Sequence, residues 1–472
     1  MEEETGSETT TWCGVDSGFG RAGAFAPTML VSPASAVFPC ARDVSRRPPS
    51  CMYHVTPESS LMPSHPNDGL GATPKNRRLP LLHRLVLIAI TVVTAWVAAS
   101  IAPRGGVAAP EHLAALGHLV AVPAVRPVLP FFAESWVTPR GHMPSAHSST
   151  ICILPSGGLF AAWYGGTREG AADVALFTAR LAAGGTEWTS PALAVDRASA
   201  QQELDRSIKK VGNAVIFTDQ VGGLWMVYVS VSMGGWSGSA LNVKMSQDEG
   251  RTWSTGHRLT LNPFLNLSSL VRNKPIYASD GRIGLPVYHE MALKFPQMLW
   301  LTPGPKGSMP AYRMRNLASE TGLIQPTLVP LDHDRMLMVL RDRRSDRQLH
   351  TAYSDDNGWT WSDAAPSALP NPDSAIDALR LRDGRILLVY NHAHRRRENL
   401  RFAISSDSGR SWRAGPTLEA AADHEYSYPC LAEDRHGRIH LTYTWRRERI
   451  KHVGFNVAWL DGKIRSETPA EQ

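Results

Sequence analysis

The sequence predicts an all-β fold, a six-bladed β-propeller, on three observations. An eight-residue element recurs three times, as "SQDEGRTW" at Ser246–Trp253, "SDDNGWTW" at Ser354–Trp361 and "SSDSGRSW" at Ser405–Trp412. A longer repeat joins an apolar run, a Gly or Asp turn and a second strand-like run. It reads "ILPSGGLFAAWYGG", "IFTDQVGGLWMVYVS", "IYASDGRIGLPVYHE", "LVPLDHDRMLMVLRD", "LRLRDGRILLVYNH" and "LAEDRHGRIHLTYTW". With Gly158, Gly223, Gly281, Asp334, Gly384 and Gly437 as equivalent turns, the period is about 50 to 65 residues, the spacing of propeller blades rather than helical solenoids. Finally, from about Trp136 onward the chain has short β-type runs, many turn residues and no helical period of useful length.

The segments before the propeller read differently. Residues 1–80 are rich in Pro, Ser, Gly and Thr without apolar periodicity, which predicts disorder, and Met52 and Met62 offer later starts. Residues 81–102 contain "LVLIAITVVTAWVAASIA", an uncharged run about long enough to span a bilayer, led by Lys75, Arg77, Arg78 and Arg84. Basic residues on that side predict a cytoplasmic N-terminus and an exported body, periplasmic or extracellular. "VAA" at Val97–Ala99 also fits a signal-peptidase site, so a membrane anchor and a cleaved signal with secretion both remain open. Residues 103–134 read as a linker and 135–465 as the propeller.

Composition narrows the function. The chain has 472 residues, and 49 Lys plus Arg against 43 Asp plus Glu leave a mild, spread net charge of +6, which argues against nucleic acid. Five cysteines without a CxxC pair indicate neither a disulfide framework nor a zinc site. No metal or cofactor is required.

Each eight-residue element is an Asp-box, S-x-D-x-G-x-[ST]-W. Its Asp can accept backbone N–H bonds, its Gly can take a positive φ, and its Trp can pack between sheets, so it staples a hairpin and is nearly silent on chemistry. The boxes fall in the outer halves of blades two, four and five, with a decayed copy ending at "GGTEW", Gly184–Trp188, in blade one. If turns and boxes share one face, the starts of the inner strands converge on the other. There stand His147, Asn213, Arg272, Gln325, Ser374 and Tyr428, joined from the second strands by Arg168, Asp173, Trp236, His289, Glu290, Arg341, Asn391, His392 and Arg446. Such a ring is too polar for a packed channel and reads as a ligand face.

Over roughly residues 135–460 the chain resembles the sialidase (neuraminidase) superfamily of Asp-box propellers. The resemblance implies a glycoside hydrolase with a nucleophilic Tyr, a carboxylate base, an acid/base Asp and an arginine clamp for the substrate carboxylate. "GGTREGAAD" resembles the stretch giving a pocket Arg and the acid/base, here Arg168 and Asp173. "YPCLAEDRHGRI" resembles the segment opening with the nucleophile, here Tyr428. "LMVLRDRR" and "RENL" supply Arg341 and Arg397 as clamp residues.

Two departures stand out. His147 occupies the slot of the first clamp Arg, and Gln325 the slot of the base, and Gln takes no proton from Tyr at neutral pH. Arg272 is expected to restore the lost charge and Glu290 to replace the base, with His289 beside it as a substrate contact. The expected substrate is a terminal acidic sugar of a glycan. The alternatives are a non-catalytic glycan-binding or assembly propeller, and a His-dependent glycosidase or lyase using His147 or His289.

Overall fold

The structure, a computed structural model, describes residues 129–467 apart from 263–265, 278–280, 292, 305–307, 318–319, 333 and 345. The expected disordered segment at 1–80 and the membrane or signal segment at 81–102 lie outside the described residues. Among the described residues no helix is long and apolar enough to cross a membrane.

Six antiparallel sheets follow one another along the chain, which is the six-bladed propeller expected from the repeats. Blade one runs Ser145–Ile153, Leu159–Gly166, Ala175–Leu181 and Ala192–Val195, from the axis outward. Blade two runs Lys210–Thr218, Leu224–Val231, Ser239–Ser246 and His257–Arg258. Blade four begins at Leu323–Pro330 and Met336–Asp342, blade five at Asp377–Arg380 and Ile386–Tyr390. Blade six takes its inner three strands, Tyr426–Glu433, Arg438–Trp445 and Arg449–Asn456, from the end of the chain. Its outermost strand is Phe132–Trp136, whose first three residues fall in the 103–134 stretch expected to be linker, so ring closure joins residues more than 300 apart in sequence.

The second strands of blades two and four, Leu224–Val231 and Met336–Asp342, are buried along their whole length, because neighbouring blades pack against both faces. Val215, Phe217, Val227 and Val229 of blade two meet Val271, Leu285 and Val287 of blade three in one apolar layer. The helix Val457–Glu467 buries Leu460 and Ile464 over blades five and six.

The Asp-boxes sit on the turn face, with the hairpins. Ser156, in the inner turn of blade one, donates from its backbone N–H (2.8 Å) and hydroxyl (3.0 Å) to Glu249 inside the first box. In all three boxes the Ser hydroxyl accepts the Gly N–H at 2.7 to 2.8 Å, and the Asp accepts from the backbone and hydroxyl of the Thr or Ser four residues on. These bonds depress the Asp407 carboxyl to about 2. Gly250 has φ +79, and a Cβ there would stand 2.6 Å from Phe160, so the box requires glycine on two counts.

The axis is built by irregular inner strands. In blades one, two, four and six the inner strand carries a β-bulge, with a left-handed residue at Ser148, Asn213, Gln325 and Tyr428. A bulge re-aims its side chain and frees backbone groups from the ladder. In blades four and six the bulge residue precedes a proline, Pro326 or Pro429, which needs no ladder donor. Blade three breaks instead, between Ser269–Val271 and Ile276–Tyr277, and the break sends three successive side chains across the axis. Arg272 donates to Pro429 O (2.9 Å), and Asn273 to Gln325 O (3.1 Å) and Pro326 O (3.0 Å). Lys274 meets both oxygens of Asp377 at 2.7 Å. Asp377, 1 % exposed, also accepts from Thr327 Oγ1 and from Leu431 N, so one carboxylate ties blades three, four, five and six.

Asp377→Asn is therefore expected to cost roughly 3 kcal/mol or more, because it strands a largely buried ammonium. Urea unfolding checks this. The apolar pair Lys274→Met with Asp377→Leu should cost less than the single change, since no charge is left unpaired.

Candidate active site

The bulges and the blade-three break gather six of the residues singled out from the sequence: His147, Arg272, Gln325, Arg341, Arg397 and Tyr428. Tyr428, 8 % exposed, is their centre. His147 meets its ring edge-on at 4.5 Å between centroids, and the guanidinium carbons of Arg272 and Arg397 lie 5.2 and 5.7 Å from the ring centre. Gln325 bridges its neighbours. Its Oε1 accepts from Arg341 Nη1 at 2.9 Å, and its Nε2 donates to the Tyr288 hydroxyl at 3.2 Å.

The arginines are anchored differently. Arg341, almost wholly buried, donates from Nε to Asp373 at 2.6 Å. Burial opposes its charge, but the contact with the Asp373 carboxylate outweighs burial and holds it firmly protonated. Arg397 donates to Asp373 O (2.8 Å) and Glu425 (3.2 Å). Arg272, 1 % exposed, spends Nη2 on Pro429 O, while its Nε and Nη1 have no hydrogen-bond partner among the described residues.

The remaining residues stand apart from Tyr428. Arg168 and Asp173 are exposed, in the loop above blade one; Asp173 accepts from Thr167 N (2.8 Å) and Oγ1 (2.5 Å), bonds that lower its pKa. Glu290 lies at the end of blade three's second strand, with its carboxylate 3.9 Å from Arg343 Nη1. Arg343 lies 3.3 Å from Asp373, so Glu290 connects to the ring through an ion-pair chain. Among the described residues no hydrogen bond joins Glu290 to Tyr428. His289 stacks on Phe295 at 4.8 Å, and burial lowers its pKa.

Two carboxylates and an arginine that the sequence reading missed complete the wall. Glu169, next to Arg168, pairs with Arg447 at 2.8 Å and lies 4.0 Å from His147 Nε2. Glu425 binds Arg447 Nε (2.6 Å), Ser427 Oγ (2.6 Å) and Arg397. Burial works against ionisation of Glu425, but Arg397 and the bonds from Arg447 and Ser427 override it and bring its pKa to about 2. An alternating row, Glu169–Arg447–Glu425–Arg397, thus runs beside His147 and Tyr428. Arg447 has φ +60 in the hairpin after Trp445, a conformation that a strand pattern does not announce.

His147 is fully buried, and neither ring nitrogen has a hydrogen-bond partner among the described residues. Burial, and then the Arg447 charge, lower its pKa to about 3, so the imidazole is neutral across the physiological range. His452, in the outer half of blade six against Ser135 (2.9 Å) and His440 (3.1 Å), is likewise lowered by burial to about 3. Unfolded, both would titrate near 6.5. Their contribution to stability is therefore present above pH 6.5 and lost as the pH falls towards 3. By pH 4 the loss should be on the order of ~3 kcal/mol for each imidazole. Thermal melts between pH 7 and pH 4 check this, and His452→Gln should flatten the slope.

The chain matches the BNR repeat-like domain over residues 157–441. No curated protein matches it. Among solved structures it is similar to a Hadza microbial sialidase, at 17% identity and TM-score 0.58, covering 70% of this chain and 69% of that one. A leech intramolecular trans-sialidase complexed with 2,7-anhydro-Neu5Ac aligns at 14% identity and TM-score 0.55, over 68% and 69%. An α-L-arabinanase from Penicillium chrysogenum aligns at 13% identity and TM-score 0.51, over 70% and 98%. At these identities the likeness establishes a common fold. With three Asp-boxes, six blades and a family match spanning more than half its length, this chain belongs to the BNR repeat-like domain family, on a sialidase-like propeller.

Proposed function

We propose that this protein is a sialidase-like glycoside hydrolase that removes a terminal acidic sugar from a glycan. The observation that carries the reading is the gathering of three guanidiniums, Arg272, Arg341 and Arg397, around Tyr428 on the propeller axis. Arginine forks bind carboxylates in two-point fashion, and a neutral phenol is a better nucleophile than a carboxylate beside a substrate anion.

In this reading the Tyr428 oxygen attacks the anomeric carbon while its proton passes to a base. The bond to the leaving oxygen breaks, and Asp173 supplies that oxygen with a proton. Water then cleaves the tyrosyl sugar, giving its proton to Asp173, while the base returns its proton to the departing Tyr428 oxygen. Asp173 sits on the exposed 167–173 loop, so it must regain a proton once substrate covers it. Glu290 is the proposed base, loosely held at 3.9 Å from Arg343. His147 is a second candidate, favoured by one observation: its ring packs directly on Tyr428 with both nitrogens unpartnered among the described residues, and Glu169, 4.0 Å from Nε2, would offset the burial that opposes a proton there. His289 and Arg168 are assigned contacts further out on the substrate. The basic lead-in and apolar run at 75–102 support an exported propeller, anchored or secreted.

A panel of sialosides and aryl glycosides, neutral and uronic, tests the activity by released aglycone. Tyr428→Phe is expected to lower turnover by about 10²-fold or more, and Arg341→Lys to weaken acidic substrates substantially because the planar fork is lost. Asp173→Asn should retain activity on nitrophenyl glycosides, whose leaving group needs no proton, while losing it on sugar leaving groups. Comparing Glu290→Gln with His147→Asn separates the two bases. Release of neutral and acidic sugars at equal rates would sink the acidic-substrate reading.

A further inference from the structure

Lys210 opens the inner strand of blade two and is only 8 % exposed. The other well-buried lysines are neutralised: Lys244 by Glu203 at 2.5 Å, Lys274 by Asp377, and Lys451 by Glu134 and Glu419, both at 2.9 Å. Lys210 has no such partner, since neither an ion pair nor a hydrogen bond joins its ammonium to a described residue. Instead the ammonium lies 3.9 Å from the centre of the Trp236 ring. Glu169 is the carboxylate whose charge reaches it, and Glu169 is engaged by Arg447. Burial lowers the Lys210 pKa, the mark of a cation short of counter-charge.

The surroundings hold this arrangement open. A Cβ on Gly212 would stand 2.6 Å from the Trp236 ring, so the indole lies flat on the strand only because residue 212 is glycine. Trp236 also packs on Leu270, Tyr288 and Ile324, and Tyr288 bonds Gln325 at the Tyr428 centre. A Cβ on Gly170 would come within 3.4 Å of the ammonium, which therefore borders the loop carrying Glu169. The cation thus occupies the wall between that loop and Trp236, away from the Arg341–Arg397 side.

We propose that Lys210, seated on Trp236, is a specificity-determining residue that receives a second anionic substituent, a sulfate ester or carboxylate, on the sugar whose reacting end lies at Tyr428. The proposal rests on the acidic-glycan reading of this axis. A nearly buried cation without a counter-ion is unfavourable in the free protein, and an arriving oxyanion supplies the missing charge. The π-face of Trp236 holds the ammonium in place meanwhile.

The test uses the full chain and inorganic sulfate at millimolar concentration, against chloride at equal ionic strength, read by tryptophan fluorescence and melting temperature. Wild type and Arg341→Lys should both give a saturable response. Lys210→Met should weaken it about ten-fold or more, and Lys210→Arg should restore most of it. Without sulfate, Lys210→Met should melt at or above the wild-type temperature, because it removes an unpaired buried charge. A wild-type response surviving in Lys210→Met, or no response in wild type, would overturn the proposal. So would a melting point of Lys210→Met several degrees below wild type, which would make the lysine a structural clamp. None of these readouts needs turnover, so a protein that cleaves no glycoside but loses its sulfate response in Lys210→Met keeps the subsite and loses only the hydrolase reading.

Discussion

Everything at the centre of this propeller depends on how the carbonyls released by its bulged inner strands are satisfied. A bulge turns a side chain toward the axis but leaves backbone groups without ladder partners, and buried carbonyls without donors are costly. Blade three supplies the donors. Its strand break delivers Arg272, Asn273 and Lys274 in succession to blade six, blade four and blade five. The left-handed conformations of Gln325 and Tyr428, each before a proline, are affordable because those bonds hold them. Tyr428 is thus positioned by a backbone network spanning four blades.

The site also shows how burial and charge divide labour on a small polar surface. His147 is neutral because it is buried, and Glu425 is ionised although buried, because Arg397 and Arg447 outweigh burial. Arg341 keeps its charge with almost no exposure because Asp373 contacts it directly. Two carboxylates anchor the two guanidiniums on the Tyr428 side, Asp373 for Arg341 and Glu425 for Arg397. Such anchoring fixes the arginines in advance of a ligand, which reduces the ordering cost of binding.

The blades were legible in the sequence because turns and Asp-boxes are local: Gly and Asp at set offsets are required by backbone geometry within eight residues. The axial residues His147, Arg272, Gln325 and Tyr428 were also legible, by counting back from those turns. Glu169, Glu425 and Arg447 were not, because their roles arise from pairing between blades one, five and six, and Arg447 adopts a left-handed conformation outside any strand pattern. Glu169 lies beside Arg168 in "GGTREGAAD", but its partners, Arg447 and His147, come from segments distant in sequence that only the fold brings to it. Asp377, at the start of blade five's inner strand, belongs to no motif that marks it in the sequence. Only the meeting of Lys274, Thr327 and Leu431 around it reveals a tie.

The seam in blade six has a consequence for how the ring is assembled. The outermost strand, Phe132–Trp136, pairs with Arg449–Asn456, so the first and last strands of the propeller close it together. Joining segments separated by more than 300 residues costs about 5 kcal/mol of chain entropy, which makes closure a late step, open until the final blade has been synthesised. Any chain upstream of Phe132 pulls directly on this seam. Mechanical load arriving from the N-terminal side would meet this seam at its Phe132–Phe455 end, and because the strands run antiparallel it would peel the five residue pairs apart in turn, like a zip, before any inner strand is disturbed.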